Sequence, residues 1–221
     1  MNSIKNHIIA IDGPAGSGKS TVSKLLAKRL GFIYLDSGAI YRTITLACMR
    51  KKINMESQEE ILNVIHQTDI RITESTIYIT AENISNEIRT PEVTKNVAYI
   101  ASSPAARTSI VSLEQKIVKD KNAVVEGRDT GTVVFPDATI KIFLEASSEE
   151  RAKRRFEELH KKGINVDYEN VKKEIERRDD SDKSRLVGPL VCAPDAIVVD
   201  TSKLSIEQVV SKLEEIVTNK I

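Results

Sequence analysis

The sequence has no tryptophan, and aromatic residues make up only 4% of its 221 residues. Platforms for stacking bases are therefore scarce. With a formal net charge of +1, whole-chain electrostatics favour neither a nucleic acid nor an anionic membrane surface. Cysteine is as sparse. Cys48 and Cys192 lie far apart and form no CxxC pair, which argues against a disulfide framework or a zinc site and suits two structural thiols in a reducing compartment. No apolar run approaches the roughly 20 residues of a membrane span. The apolar stretch that begins at Ile8 meets Asp12 and glycines at once, so it does not read as the core of a signal peptide. There is no internal repeat and no low-complexity linker. With 40% hydrophobic and 29% charged residues, the expectation is a cytoplasmic globular protein of one compact domain, with room for a small insertion.

What is present is an alternation. Short apolar, β-branched runs at 7–12 (HIIAID), 32–36, 123–126 (AVVE), 139–145 and 196–200 (AIVVD) read as strands. Amphipathic stretches at 19–30, 38–51, 104–119, 148–162 and 205–219 read as helices, the first stopped by Gly31 and the fourth opened by Ser147 or Ser148. Strands this short and continuously apolar need both faces covered, which predicts an α/β fold: a five-stranded parallel sheet with helices on both faces. Residues 69–88 break the rhythm. Ile70 and Ile72 alternate with polar residues, as do Ile77 and Ile79, around a turn at Glu74, Ser75 and Thr76. This predicts a small antiparallel insertion with one wet face. Residues 161–167 join two charged helices through Gly163 and form a candidate lid.

The strongest motif is GPAGSGKS at 13–20, which matches G-x-x-x-x-G-K-[ST] between a predicted strand and a predicted helix. Chance produces such a match in roughly 1% of chains this long, from background residue frequencies. Gly13, Gly16 and Gly18 allow backbone N–H groups to turn inward into an anion nest at a helix N-terminus. Lys19 then supplies a point charge for β- and γ-phosphates, and Ser20 a hydroxyl for Mg²⁺. The expectation is a P-loop nucleoside triphosphate site. No NKxD sits where a guanine-specificity motif would, and no DxxG follows the third strand. The chain is short for a motor with accessory domains, which leaves a small kinase as the residual class.

A phosphoryl acceptor that is itself an anion needs cations to hold it. DSGAIYR (36–42) ends the second strand, at the sheet edge where open α/β folds bind ligands, and offers Ser37 and Arg42 to a substrate phosphate. EGRDTGT (126–132) ends the third strand, where Arg128 and Asp129 combine donors with an acceptor, as a polar heterocycle requires. In ERRDDSDKSR (176–185), helical spacing places Arg178, Asp182 and Arg185 on one face. That face reads either as a phosphate clamp or as a solvated face with surface ion pairs.

At these residues the sequence resembles the bacterial cytidylate kinase family. The matching stretches are GPAGSGKST (13–21), LDSGAIYR (35–42), EIRTPEV (87–93), EGRDTGTVVFPDATIKIFLEAS (126–147), ERRDDSDKSR (176–185) and APDAIVVDTS (193–202), in order and over nearly the whole chain. The resemblance implies a single nucleoside monophosphate kinase domain with a monophosphate-binding insertion at 69–90 and a short lid at 155–170. It implies that Gly13, Pro14, Ala15, Gly16, Ser17, Gly18, Lys19, Ser20 and Thr21 hold ATP, with Mg²⁺ at Ser20 and with Arg154 and Arg155 as lid arginines that reach the ATP phosphates. Ser37, Arg42, Arg128, Arg178 and Arg185 would hold the CMP phosphate and the transferring group, with Lys19, Arg128, Arg178 and Arg185 as the catalytic cations. Arg107 and Asp129 would read the cytosine edge, and Asp182 the sugar of CMP or dCMP. One complete core with its own lid predicts a monomer, and the charge, the scarce aromatics and the short apolar runs predict that it binds neither nucleic acid nor membrane. The sequence departs from the family at Ala98, where a serine is often found, and Ser102 is a candidate substitute. A kinase for UMP, AMP or a metabolite such as shikimate, and a nucleotide-binding module with no acceptor, stay open as alternatives.

Overall fold

The computed structural model describes residues 6–73, 76–161 and 163–221. They divide into two compact units, one built from the chain up to Leu35 and from Lys121 onward, the other from Asp36–Asp120.

The first unit carries the strands β1 (Ile8–Asp12) and β2 (Ile33–Asp36, whose last residue opens the second unit), with the helix α1 (Lys19–Leu30) between them. The second unit contributes α2 (Ser37–Lys51), α3 (Gln58–Gln67), β3 (Ile70–Thr73), β4 (Thr76–Ile79), β5 (Glu82–Asn83), α4 (Pro91–Ser102) and α5 (Pro104–Val118). The first unit resumes with β6 (Ala123–Gly127), a π-helical turn at Thr130–Val134, β7 (Ile140–Glu145), α6 (Ser148–Lys161), α7 (Tyr168–Lys183), β8 (Ile197–Asp200) and α8 (Ile206–Thr218). The five strands expected from the apolar runs form one sheet in the order β2-β6-β1-β7-β8, and β6–β1, β1–β7 and β7–β8 run parallel. The chain steps from β1 to one side of the sheet, then crosses to the other after β6. The edge beyond the C-terminal end of β1 is thus the place where a crevice opens.

Alternate residues of the strands face α1 and α8. Ile9 and Ile11 of β1, Val124 of β6, Ile140, Ile142 and Leu144 of β7, and Val199 of β8 pack with Val22 and Leu26 of α1 and with Val209, Val210, Leu213 and Val217 of α8. Helix α1 ends where expected, at Gly31 in the left-handed conformation (φ 67°), which a side chain would strain. Helix α8 begins with a full capping box between Ser205 and Gln208. The hairpin of α6 and α7 has a small core of its own, where Ala152, Val171 and Ile175 meet Phe156, Leu159, Val166 and Tyr168.

In the second unit β3, β4 and β5 form the expected antiparallel sheet, with Ile70 opposite Ile79 and Ile72 opposite Ile77. Of the expected turn, Glu74 and Ser75 lie outside the described residues, as does Lys162 of the candidate lid. The inner face packs with Ala39 and Leu46 of α2 and Val93 of α4. Arg50 of α2 forks onto Glu82 and also reaches Glu87. Two helices, α3 and α4, go beyond the sequence reading, although both carry start signals. Ser57 accepts the Glu60 N–H, and Thr90 accepts the Val93 N–H ahead of Pro91 at the first helical position.

Helix α8 keeps α1, and with it the segment that follows β1, seated on the sheet. Leu213→Ala removes a fully buried side chain from that contact and is expected to cost about 3 kcal/mol, read from the urea-unfolding midpoint. A midpoint unchanged from wild type would mean that α8 is not part of the cooperative core.

Candidate active site in the first unit and a cation cluster in the second

The segment between β1 and α1 closes over itself tightly. At Gly13 (φ 151°) a Cβ would lie 2.2 Å from the Leu144 carbonyl oxygen of β7, so only glycine fits. Lys19, the first residue of α1, is 4% exposed. Its ammonium donates to the Pro14 carbonyl (2.7 Å) and to Ser17 Oγ (3.3 Å). Burial, and then the Arg128 guanidinium, push this ammonium down to about 7, against the opposing pull of Glu126 and Asp12. Ser20 and Thr21 stand exposed in the first turn of the helix. A buried, weakly protonated lysine at a helix N-terminus is suited to a polyanion, whose charge would restore its proton.

The acidic residue before the loop does a different job. Asp12 is buried, and its two carboxylate oxygens accept the N–H groups of Thr130 (2.9 Å) and Gly131 (2.7 Å), in the turn after β6. Burial raises its pKa, partly offset by those two N–H groups. This bond ties the start of the phosphate loop to the turn that carries Arg128 and Asp129. The same strand end holds Glu126, buried, which accepts a hydrogen bond from Tyr34 Oη at 3.0 Å.

Arg128 Nε donates to Asp182 Oδ2 at 2.6 Å, and Arg185 pairs with the other oxygen of the same carboxylate. Burial works against the charge on Asp182, but Arg128 and Arg185 outweigh it and hold the carboxyl below its usual range. One expectation needs correction here. Arg178 and Asp182 do lie on α7, but the helix ends at Lys183 with Ser184 as its cap, so Arg185 is not on a continuous helical face. It meets Asp182 from the loop that follows. Asp129 is buried, and Arg178 lies near enough to Lys19 and Asp182 to act on their charges.

The helix α6 contributes unequally. Arg154 donates to the Thr201 carbonyl (2.6 Å) and hydroxyl (3.3 Å), and Thr201 Oγ1 lies 3.4 Å from the Ser17 carbonyl of the phosphate loop. Arg155 pairs with Glu158 along its own helix at 2.8 Å, half exposed. Arg151, which sequence reading passed over, is buried against the loop and donates to the Ala15 carbonyl at 2.8 Å.

In the second unit, Asp36 caps α2 by accepting the Ala39 N–H (2.8 Å) and also accepts from Arg42 (3.0 Å) and Arg89 (3.4 Å). Ser37 is buried in the first turn of α2. Arg107 is 3% exposed, reaches the Ala101 carbonyl at 3.4 Å, and lies over the Tyr41 ring at 5.5 Å. Ser102 donates back to the Ala98 carbonyl at 2.8 Å. Arg89 lies in the EIRTPEV stretch and was legible only as part of that motif. Asp12, Glu126 and Arg151 had weaker signals: two acids at the ends of buried strands and one arginine among many on a charged helix.

Comparison with known proteins places this geometry. A protein-family model described as cytidylate kinase matches residues 9–219. The chain is 48% identical over 207 residues to the cytidylate kinase of Caldanaerobacter subterraneus subsp. tengcongensis, covering 94% of this chain and 92% of that one. It is 44% identical over 220 residues to the cytidylate kinase of Leuconostoc mesenteroides, covering 98% of each. Among solved structures, an uncharacterized protein from Eubacterium ventriosum shares the fold with a TM-score of 0.54 at 15% identity, over 97% of this chain and 99% of that one.

Asp12→Asn leaves an amide NH₂ facing one of the two backbone N–H groups. The expected loss is about 1–3 kcal/mol, measured by urea unfolding. A variant as stable as wild type would show that the two hydrogen bonds do not hold the turn.

Proposed function

Because the chain belongs to the cytidylate kinase family, we propose that it transfers the γ-phosphoryl group of ATP to CMP and dCMP, yielding ADP and CDP or dCDP. The observation that carries the reading is Lys19, a buried ammonium at the head of α1 whose charge is poorly held until a polyanion arrives. Residues 13–21 would cradle the ATP phosphates with backbone N–H groups, as the fold of the loop allows. Mg²⁺ suits the site through the exposed Ser20 at the first turn. Among the described residues no cluster of three or more His, Cys, Asp or Glu offers a protein-built metal site. Ser20 would help hold the ion together with substrate phosphates and water, and the ion would supply neutralisation of phosphate charge.

The acceptor's own phosphate oxygen is the nucleophile. It is largely ionised at neutral pH, so no general base is required and catalysis is alignment plus stabilisation of charge. In this reading Ser37, Arg42, Arg128, Arg178 and Arg185 hold the CMP phosphate and the transferring group, with Lys19, Arg128, Arg178 and Arg185 as the catalytic cations. Asp182 would contact the sugar, and Arg107 and Asp129 the cytosine. Arg154 and Arg155, at the start of a lid spanning 155–170, would reach the ATP phosphates, and residues 69–90 would form a monophosphate-binding insertion. The free thiols Cys48 and Cys192 suit a cytoplasmic enzyme, and we read it as a monomer. No helix among the described residues is long and apolar enough to cross a membrane.

An ADP-release assay with Mg·ATP and CMP, dCMP, UMP, AMP or GMP tests the reading. Turnover with CMP and dCMP in preference to the others is expected. Turnover confined to UMP or AMP would remove the cytosine assignment, and none with any acceptor would overturn the kinase reading.

Lys19 also predicts a pH effect. With its pKa near 7 in the free protein, it is mostly neutral at pH 8, and binding a triphosphate must return the proton. Affinity for Mg·ATP should therefore fall as pH rises above 7, by up to about tenfold per unit, and binding at pH 8 should take up protons. Calorimetry in buffers of different ionisation heat reads this directly, and a binding heat independent of buffer would exclude it. Folding carries the opposite sign. Above pH 7 and up to its unfolded value the unfolded chain holds the extra proton, so this group's contribution to stability rises with pH.

A further inference from the structure

The chemistry just described makes no use of Arg151, although it is 5% exposed and all three of its side-chain nitrogens are engaged. Nε donates to the Ala146 carbonyl at 3.0 Å, just ahead of α6. Nη1 donates to the Ala15 carbonyl at 2.8 Å, and Nη2 to Asp179 Oδ2 of α7 at 2.6 Å. Its stem lies against Gly16, where a Cβ would come within 3.3 Å of Arg151 Cβ. Asp179 is buried, and its other oxygen, Oδ1, has no hydrogen-bond partner among the described residues. The carboxylate is thus committed to this one guanidinium.

The geometry has a specific effect. A peptide unit is planar and trans, so fixing the Ala15 carbonyl fixes the opposite direction of the Gly16 N–H. That N–H belongs to the phosphate-binding stretch. The other end of the guanidinium grips Asp179, which neighbours Arg178 and precedes Asp182 by less than one helical turn. We propose that Arg151 is a positioning residue: it aims the phosphate loop from behind and sets its register against α7, the helix that carries Arg178 and Asp182. A bare surface ion pair would do neither, because it would not reach the loop backbone. A charge-assisted pair buried on both sides is rigid enough to do both. Alignment is where such a residue acts, since a displacement of about 1 Å at the reacting groups costs on the order of a hundredfold in rate.

This inference rests on the reading of the loop as an ATP site, and the tests separate the two. Wild-type turnover on CMP tests the function. Arg151→Met, Arg151→Lys and Asp179→Asn test the positioning role through kcat, KM for each substrate, affinity for Mg·ATP, melting temperature, and the ³¹P resonance of the β-phosphate of bound Mg·ATP, read without acceptor. In R151M, kcat is expected to fall about 30-fold while Mg·ATP affinity falls no more than about threefold and KM for CMP holds. The β-phosphorus resonance moves. R151K, which can still reach one acceptor, restores most of kcat. D179N lowers kcat less, and it adds nothing to R151M in the double variant, as one shared path requires. A kcat within about threefold of wild type in R151M, or a β-phosphorus resonance at its wild-type position, overturns the proposal. Should R151M fail to fold, D179N decides by the same two readings.

Discussion

A lysine ammonium carried almost wholly out of water is the constraint around which the first unit is arranged. Isolated, such a charge would be very costly. Here it sits at the positive end of α1, which makes matters worse rather than better. The protein compensates only in part, through the Pro14 carbonyl, Ser17, Glu126 and Asp12. In the proposed reading, the residual deficit is what would make the loop receptive to phosphate. Surrounding features serve to keep that unfavourable arrangement in place: Gly13 pressed onto the β7 backbone, Asp12 clasping the turn after β6, and α8 pinning α1 to the sheet.

A second regularity concerns how guanidinium groups are held. Asp182 takes Arg128 on one oxygen and Arg185 on the other. In the second unit, Asp36 takes both Arg42 and Arg89. One carboxylate serves two cations in each case. The arrangement orients the planar groups while leaving each cluster with a surplus positive charge. A one-to-one pairing would orient equally well but would present a neutral surface to an incoming anion. The Arg151–Asp179 pair is one-to-one, and it faces the loop backbone instead of a ligand-binding surface.

The sheet, the phosphate loop and the antiparallel insertion were legible because each depends on local pattern: continuous apolar runs, a fixed glycine spacing, and Ile70/Ile72 against Ile77/Ile79. Helices α3 and α4 were legible in principle from Ser57 with Glu60 and from Thr90 with Pro91, but they sit beside the insertion and were masked by its irregularity. Arg185 was misread because helical spacing was extended past Lys183, where the chain leaves the helix. Arg151 could not be distinguished in sequence from Lys153, Arg154 and Arg155. What separates it is burial against a loop more than a hundred residues away, and nothing local encodes that.

The strand order has a consequence for biosynthesis. The loop at 13–20 leaves the ribosome before the β7 backbone that forms its floor, before Arg151 that braces it, and before α8, which covers its neighbouring helix. At about 5–20 residues per second, β1 waits on the order of ten seconds for its sheet neighbours β6 and β7. During that interval the nascent chain carries the glycine-rich motif without the β7 backbone and the Arg151 contact that close around it. A product terminated before β7 would carry the motif without the backbone floor and the Arg151 contact that shape it.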